Sequence, residues 1–482
     1  MAGTRLIRTP HKSAALILMR SRTAFDRFLA TALVIACAHL NTGTLSRASA
    51  QSVPPAADAL TLAQAVDIAL QTNPLTKAAR AGRGLADGQL EEARAGRVPV
   101  IGFSQITTRS NNPVFVFGSL LEQGRFGTQN FDPRFLNNPD SLTNIRTAMT
   151  FRFSLFDQKQ SDTRIRQARI RQQQADSERE SVEQQLRFDV LRDYYGVLVA
   201  QAKKSVADEA VKAASADVKR IGDLVEAGVV VQSDLLSAEV QLAEFRQQGI
   251  QAEGELVIAR AALNTVLGVP VDVLHSVNGS LAEKNFGTAN QAELIQLALS
   301  RRPDLIRAGL ALKSTKEKTR GARGEYLPRV DAFGMYGVSS SNLTNGSADY
   351  TVGASVTLNL FDAGRRARLS QARAAENIAA AEADNVASQI RFEVVRAYQQ
   401  FVSARERVTV ATTAVDQAKE SLRIVQDRYH AGLTTVTEVL RAETAFVRAQ
   451  MTLIAARYEH YLGYAGVLLA TGRLTSVNDF VL

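Results

Sequence analysis

The chain has 482 residues, 45% apolar and 22% charged, with no Trp and 6% aromatics, so it can bury a sizeable core and is not disordered by composition. Eleven prolines leave two proline-free stretches, 140 to 269 and 329 to 482, where long helices can run, because an internal proline costs a helix about 3 kcal/mol. That pattern argues against an all-β sandwich, and the lack of any apolar run near ~20 residues argues against a polytopic helical membrane protein. The net charge of +9 does not mark a nucleic-acid partner: Arg5, Arg8, Lys12, Arg20, Arg22, Arg27 and Arg47 against Asp26 place six of those charges in the first 50 residues.

Those 50 residues read as an export signal. A basic opening ends at Arg27, the apolar run 28–40 follows, and Ala48-Ser49-Ala50 before Gln51 is a small-x-small cleavage site. Met19 is an alternative start that leaves an ordinary basic region. Cys37 is the only cysteine, so no intramolecular disulfide can form. Val34-Ile35-Ala36-Cys37 also resembles a lipobox; cleavage there and cleavage after Ala50 exclude each other, and both export the chain.

An internal duplication organises the remainder. A shift of 229 places 69–99 on 298–328, matching Pro74 with Pro303 and Pro99 with Pro328. A shift of 204 places 187–268 on 391–472, matching Tyr194 with Tyr398, Ala227-Gly228 with Ala431-Gly432, Asp234 with Glu438, and Ala238-Glu239 with Ala442-Glu443. Each repeat opens with a helix start, Thr61-x-x-Gln64 and Asn290-x-x-Glu293, that fits a capping box. Strict alternation follows in Ile145–Phe156 and Tyr350–Leu360, with Met149, Phe151, Val352 and Val356 on one face and Thr150, Arg152, Thr351 and Ser355 on the other. Period two over about 11 residues is a strand with one apolar face, at the length of a tilted transmembrane strand. A soluble hairpin with one buried face has the same alternation; the export signal and the arginines on the polar face favour a membrane barrel. Partner strands precede them at about 98–108 and 329–339.

After each strand pair come about 70 proline-free residues, which as helix span on the order of 100 Å. Val211, Ala214, Val218, Ile221 and Val225, with Val415, Ala418, Leu422, Val425 and Tyr429 at the matching places, form a heptad-like seam expected of helices packed side by side. The expected domains are 1–50 as cleaved signal and 51–285 as first repeat, with long helix 158–226 and return helix 232–266. Residues 286–472 form the second repeat, with strands about 329–339 and 350–360, long helix 363–430 and return helix 436–470, and 473–482 is a C-terminal tail. Four strands cannot close a barrel, and open edges are not tolerated in lipid, so transmembrane strands require oligomerisation.

Leu60-Thr61-Leu62-x-x-Ala65, Ala69-Leu70-x-x-Asn73-Pro74, Leu155-Phe156-Asp157, Leu360-Phe361-Asp362-Ala363-Gly364 and Tyr429-x-Ala431-Gly432, in this order and duplicated, carry a resemblance. Over 60–472 the sequence is similar to the bacterial outer-membrane efflux proteins of the TolC type. The resemblance implies an α+β membrane protein that trimerises into a 12-stranded outer-membrane β-barrel and a periplasmic α-helical tunnel. Its function would be a passive exit duct in tripartite efflux or type I secretion. The implied partners are two further copies of the chain, a periplasmic adaptor, an inner-membrane transporter of the RND, ABC or MFS type, and outer-membrane lipid. An exported coiled-coil scaffold or surface-binding protein is the alternative.

Gly228, Val229, Gly432 and Leu433, at the turns between long and return helices, are the expected adaptor-docking tip. Matching to the family places Asp234, Tyr429 and Glu438 at a gate or pore constriction, with a helix-cap role as the competing reading for the two acids. Arg441 and Thr434 depart from the family pattern there. Catalysis, cofactors and metals are not expected: His275, His430 and His460 lack ligand spacing, and Gly82-x-Gly84 falls within a helical pattern rather than after a strand.

Overall fold

A computed structural model describes residues 60–480 except 274, 283, 288 and 344. The expected export signal, with Met19 and Cys37, lies outside the described residues.

The first repeat begins with α1 (Leu62–Thr72) and α2 (Pro74–Ala95). Thr61 and Gln64 close a reciprocal capping box on α1. Asn73 ends α1 and caps α2, which has Pro74 in its first turn, where a missing N–H costs nothing. β1 (Val100–Ser110) leads to α3 (Pro113–Glu122), a 3-10 turn (Thr128–Phe131), α4 (Pro133–Asn137) and β2 (Leu142–Asp157). The long helix α5 (Gln160–Glu226) and its return α6 (Gln232–Leu267) complete the repeat. The second repeat runs α7 (Gln291–Arg301), α8 (Pro303–Gly324), β3 (Arg329–Ser340), β4 (Gly346–Thr357), α9 (Ala363–His430) and α10 (Val436–Ala470). At its start Asn290 accepts from the Glu293 backbone and its amide donates to the Glu293 side chain, so the reciprocal backbone bond of the first repeat is replaced by a side-chain one.

Several boundaries depart from the alternation pattern, each for a local reason. β1 starts at Val100 because Pro99 offers no ladder donor. β4 ends at Thr357, opposite Arg329 where β3 begins, so 358–360 have no partner, and it starts at Gly346 opposite Ser340. In β2 a bulge falls between Ser154 and Phe156, and Phe156, not Leu155, continues the apolar face opposite Val330. α5 starts at Gln160 because Gln158 and Lys159 are both left-handed, at φ 61° and 66°.

The strands form one antiparallel sheet in the order β1-β2-β3-β4, so the two repeats join edge to edge through β2 and β3. Register puts Ile101, Phe103, Met149, Phe151, Tyr336, Tyr350, Val352 and Val356 on one face. Ser104, Arg146, Thr150, Arg152, Ser339 and Ser355 lie on the other, with the Phe333 ring over Gly353. The apolar face is uncovered within the chain: Phe103 is 64% exposed and Val352 79%. The helices continue the sheet in the same order, α2 beside α5, α5 beside α8, α8 beside α9.

The main core lies midway down the helices, where α1, α7 and the segment after α10 wrap the long hairpins. Tyr195, Phe286, Phe401, Tyr461, Tyr464 and Phe480 interlock there, with Phe286 stacked on Tyr464 at 4.3 Å. Tyr195 and Tyr461 donate their hydroxyls to the carbonyls of Phe480 and Ala282, each at 3.0 Å, so the rings are buried without orphaned oxygens. Each such buried side chain contributes about 1.5–3 kcal/mol. Residues 473–480 are part of this core rather than a loose tail: Leu474, Val477 and Phe480 are buried. Both return helices end in a left-handed glycine seated on the break between a short and a rising helix. Gly268 lies on the Asn73 backbone, and Gly472 on that of Arg301 and Arg302. A Cβ at Gly268 would lie 2.9 Å from the Asn73 Cα, so the close approach requires glycine.

Candidate functional site

At the far end from the sheet each long helix turns back over five residues. Gly228 and Gly432 occupy the left-handed position, at φ 73° and 71°, with their N–H groups closing the last helical turn on Val225 and Tyr429. Val229 and Leu433 follow, each 68% exposed, so both turns present an apolar side chain outward. The two tips pack on each other: Ile221, Ala238, Val436 and Leu440 are buried together, with Val230 and Tyr429 against them.

The three expected gate residues are not equivalent. Tyr429 lies in that inter-tip packing, with the Arg220 guanidinium 5.8 Å from its ring centre. Its hydroxyl is buried and has no hydrogen-bond partner among the described residues. Burial raises its pKa, helped by the fields of Asp234 and Asp217 and opposed by Arg220. Asp234 sits in the first turn of α6 and makes no side-chain hydrogen bond among the described residues. Glu438 sits in the first turn of α10, exposed, and pairs with Arg441 at 2.9 Å one turn along.

Above the tips lies a buried polar cluster that sequence reasoning missed. Glu443 is 7% exposed, accepts from Gln241 Nε2 at 3.3 Å, and shares a hydrogen bond with Asp217, which is paired with Arg220. Burial first, then the Asp217 contact, push the Glu443 carboxyl up to about 8, against the pull of Arg220. The Arg220 Nε is itself buried without a partner. The only sequence signal was the repeated Ala-Glu pair; its other copy, Glu239, is exposed.

At the opposite end α3 lies across the polar sheet face. Its Glu122 meets Arg146 at 3.2 Å and accepts from Ser339 at 3.2 Å, while Arg146 also pairs with Asp349 at 3.0 Å. Phe117, Phe126 and Phe131 stack edge to face along this segment. No cluster of metal-ligating side chains occurs among the described residues.

A sheet with one apolar and one polar face, prolonged strand for helix by paired rods, is the architecture of an outer-membrane channel subunit. The chain belongs to the outer membrane efflux protein family, the TolC type: the family's sequence profile matches residues 65–269 and 294–473. It is therefore a protein of the bacterial outer membrane that extends into the periplasm. Protein CyaE of Bordetella pertussis is 26% identical over 430 residues, 87% of this chain and 86% of the relative. The alkaline protease secretion protein AprF of Pseudomonas aeruginosa is 23% identical over 301 residues, 61% of this chain and 63% of the relative. The Campylobacter jejuni CmeC outer membrane channel has the same fold, with a TM-score of 0.73 at 17% identity, over 86% of this chain and 85% of that one.

Proposed function

We propose that this chain is the passive exit duct of a tripartite export system. Three copies close twelve strands into one barrel, and their helices form one periplasmic tunnel. The observation that carries this reading is the sheet itself: an uncovered apolar face and two unpaired edges, β1 and β4, in a protein of the outer membrane. Lipid tolerates neither open edge, and joining β4 of one copy to β1 of the next removes both. Unpartnered apolar residues at heptad-compatible spacing support the same assembly along the rods: Leu236, Val240, Ile250 and Val257 on α6, and Ile378, Phe392, Val410 and Ile424 on α9. A soluble exported scaffold would leave these faces and edges uncovered.

Cargo reaches such a duct from an inner-membrane transporter through a periplasmic adaptor docked at Gly228-Val229 and Gly432-Leu433. Asp234 and Tyr429 form the constriction at the tips, and Glu438 lines it with its charge partly answered by Arg441. The chain does no chemistry on what passes. The secretion role in AprF's name favours a polypeptide cargo handed over by a type I exporter. Extraction and bilayer recording test the core of the proposal. Membranes should release the protein only with detergent, as a heat-sensitive trimer that conducts ions in planar bilayers; recovery as a soluble monomer from the periplasm overturns it.

A further inference from the structure

The corner where β2 turns into α5 holds a groove of about 600 Å³ between the start of α5 and the end of α8. Lys159, Arg166, Arg320 and Arg323 line it, against Asp162 and Glu317. Both acids are already engaged, Asp162 by Arg97 from the turn after α2 and Glu317 by Arg166 and Arg320 at 3.4 and 2.6 Å. Lys159 and Arg323 are exposed and make no ion pair among the described residues. The groove thus carries two unanswered positive charges.

Its side of the molecule follows from register and helix geometry. Asp157 pairs with Arg329 on the polar sheet face, and Arg164 reaches Asp157 at 3.5 Å, so that flank of α5 continues the polar face. Arg166 lies about 200° further round the helix, on the flank that continues the apolar face. The apolar face ends at the Phe156–Val330 pair, three residues before Lys159, and Leu327 forms the groove wall. Apolar side chains therefore give way to basic ones at the level where a membrane-embedded sheet meets the periplasm. The groove lies between the two inner helices of the row of four, away from the edges used in self-assembly. Lys159 is held there by a left-handed backbone, at φ 66°, that a non-glycine residue adopts only at a cost.

We infer that this groove binds the phosphate headgroup of an anionic glycerophospholipid of the inner leaflet of the outer membrane, through Lys159, Arg166, Arg320 and Arg323. The inference rests on the membrane-embedded reading of the sheet. A polybasic site at a membrane surface attracts anionic lipid, and here the acyl chains would run up the apolar face past Phe156.

The natural chain has no Trp, so one introduced Trp reports its own surroundings. Leu327→Trp protein, assembled and reconstituted in phosphatidylcholine vesicles, is titrated with brominated phosphatidylglycerol or brominated phosphatidylcholine, and Phe151→Trp protein serves as the mid-membrane reporter. Quenching of the groove Trp should reach half at a several-fold lower mole fraction of phosphatidylglycerol than of phosphatidylcholine. That preference should vanish in Lys159→Gln/Arg323→Gln protein that still runs as a heat-sensitive oligomer. Equal quenching by the two lipids, a preference that survives the double substitution, or its abolition by millimolar inorganic phosphate overturns the lipid site. If the Phe151→Trp reporter is quenched by neither lipid, the membrane-embedded reading fails instead.

Discussion

Glu443 is a nearly buried carboxyl group beside Asp217, and its surroundings favour the protonated form. A carboxyl raised from its ordinary 4.5 to about 8 stabilises the fold fully below the lower value. That contribution is lost as the pH rises through the upper one, because the ionised form would have to stay buried beside Asp217. The assembled protein should therefore lose thermal stability, and its tips should open more often in bilayer recordings, between pH 5 and pH 8.5. Glu443→Gln keeps the neutral shape and should flatten most of that dependence; an unchanged pH profile in the variant would show the cluster to be inert. Glu438, by contrast, is exposed and paired with Arg441. Glu438→Gln should shift cation preference by less than twofold, and Arg441→Gln should raise it, measured as reversal potentials across a salt gradient. The Ala-Gly turns were legible in the sequence because one residue type does one conformational job there. The Glu443 cluster was not: Asp217 and Glu443 are more than 200 positions apart, on helix positions that read as ordinary solvated flanks.

At the scale of elements the sheet carries the sharpest contrast. Phe151 and Val356 lie on its apolar face, Thr150 and Ser355 on its polar one. Phe151→Arg or Val356→Arg should cost about 2–4 kcal/mol of insertion, as for any mid-membrane arginine on a lipid face, whereas Thr150→Arg and Ser355→Arg should assemble normally. The yield of heat-sensitive oligomer measures both, and equal loss in the two pairs would refute the assigned faces. Strand positions could be read to within a few residues because period two is a strong local signal. The bulge at Leu155 could not, since it depends on which residues of β3 lie opposite. Nor could the helix α3 latched over the polar face, whose Glu122 meets Arg146 of β2 and Ser339 of β3 while Asp349 of β4 answers Arg146 from its other side.

For the molecule as a whole, the two ends present different surfaces and should answer differently to the same probe. Cysteines at positions 229 and 433, in the otherwise Cys-free described chain, should cross-link to a periplasmic adaptor, while cysteines near Phe103 should not; capture only near the sheet would reverse the assigned polarity. The duplication was legible in two blocks, 69–99 on 298–328 and 187–268 on 391–472, because repeated spacing survives where single residues drift. What it could not convey is that the halves are packed unlike each other, with Glu443 buried and Glu239 exposed at equivalent places.

The seam between β2 and β3 also sets an order of events. Asp157 waits for Arg329, and Ile145 for Ser340, so the inner edge of the first hairpin stays unsatisfied until about 170 further residues have emerged, and such distant pairings form slowly. During that interval the hairpin exposes Phe103, Met149 and Phe151 beside an unpaired backbone edge, the combination most prone to mispair with a neighbouring chain. A newly exported chain should therefore need shielding of its first hairpin until the second repeat arrives. A chain truncated before Arg329 should remain chaperone-bound or aggregate, however intact its helices.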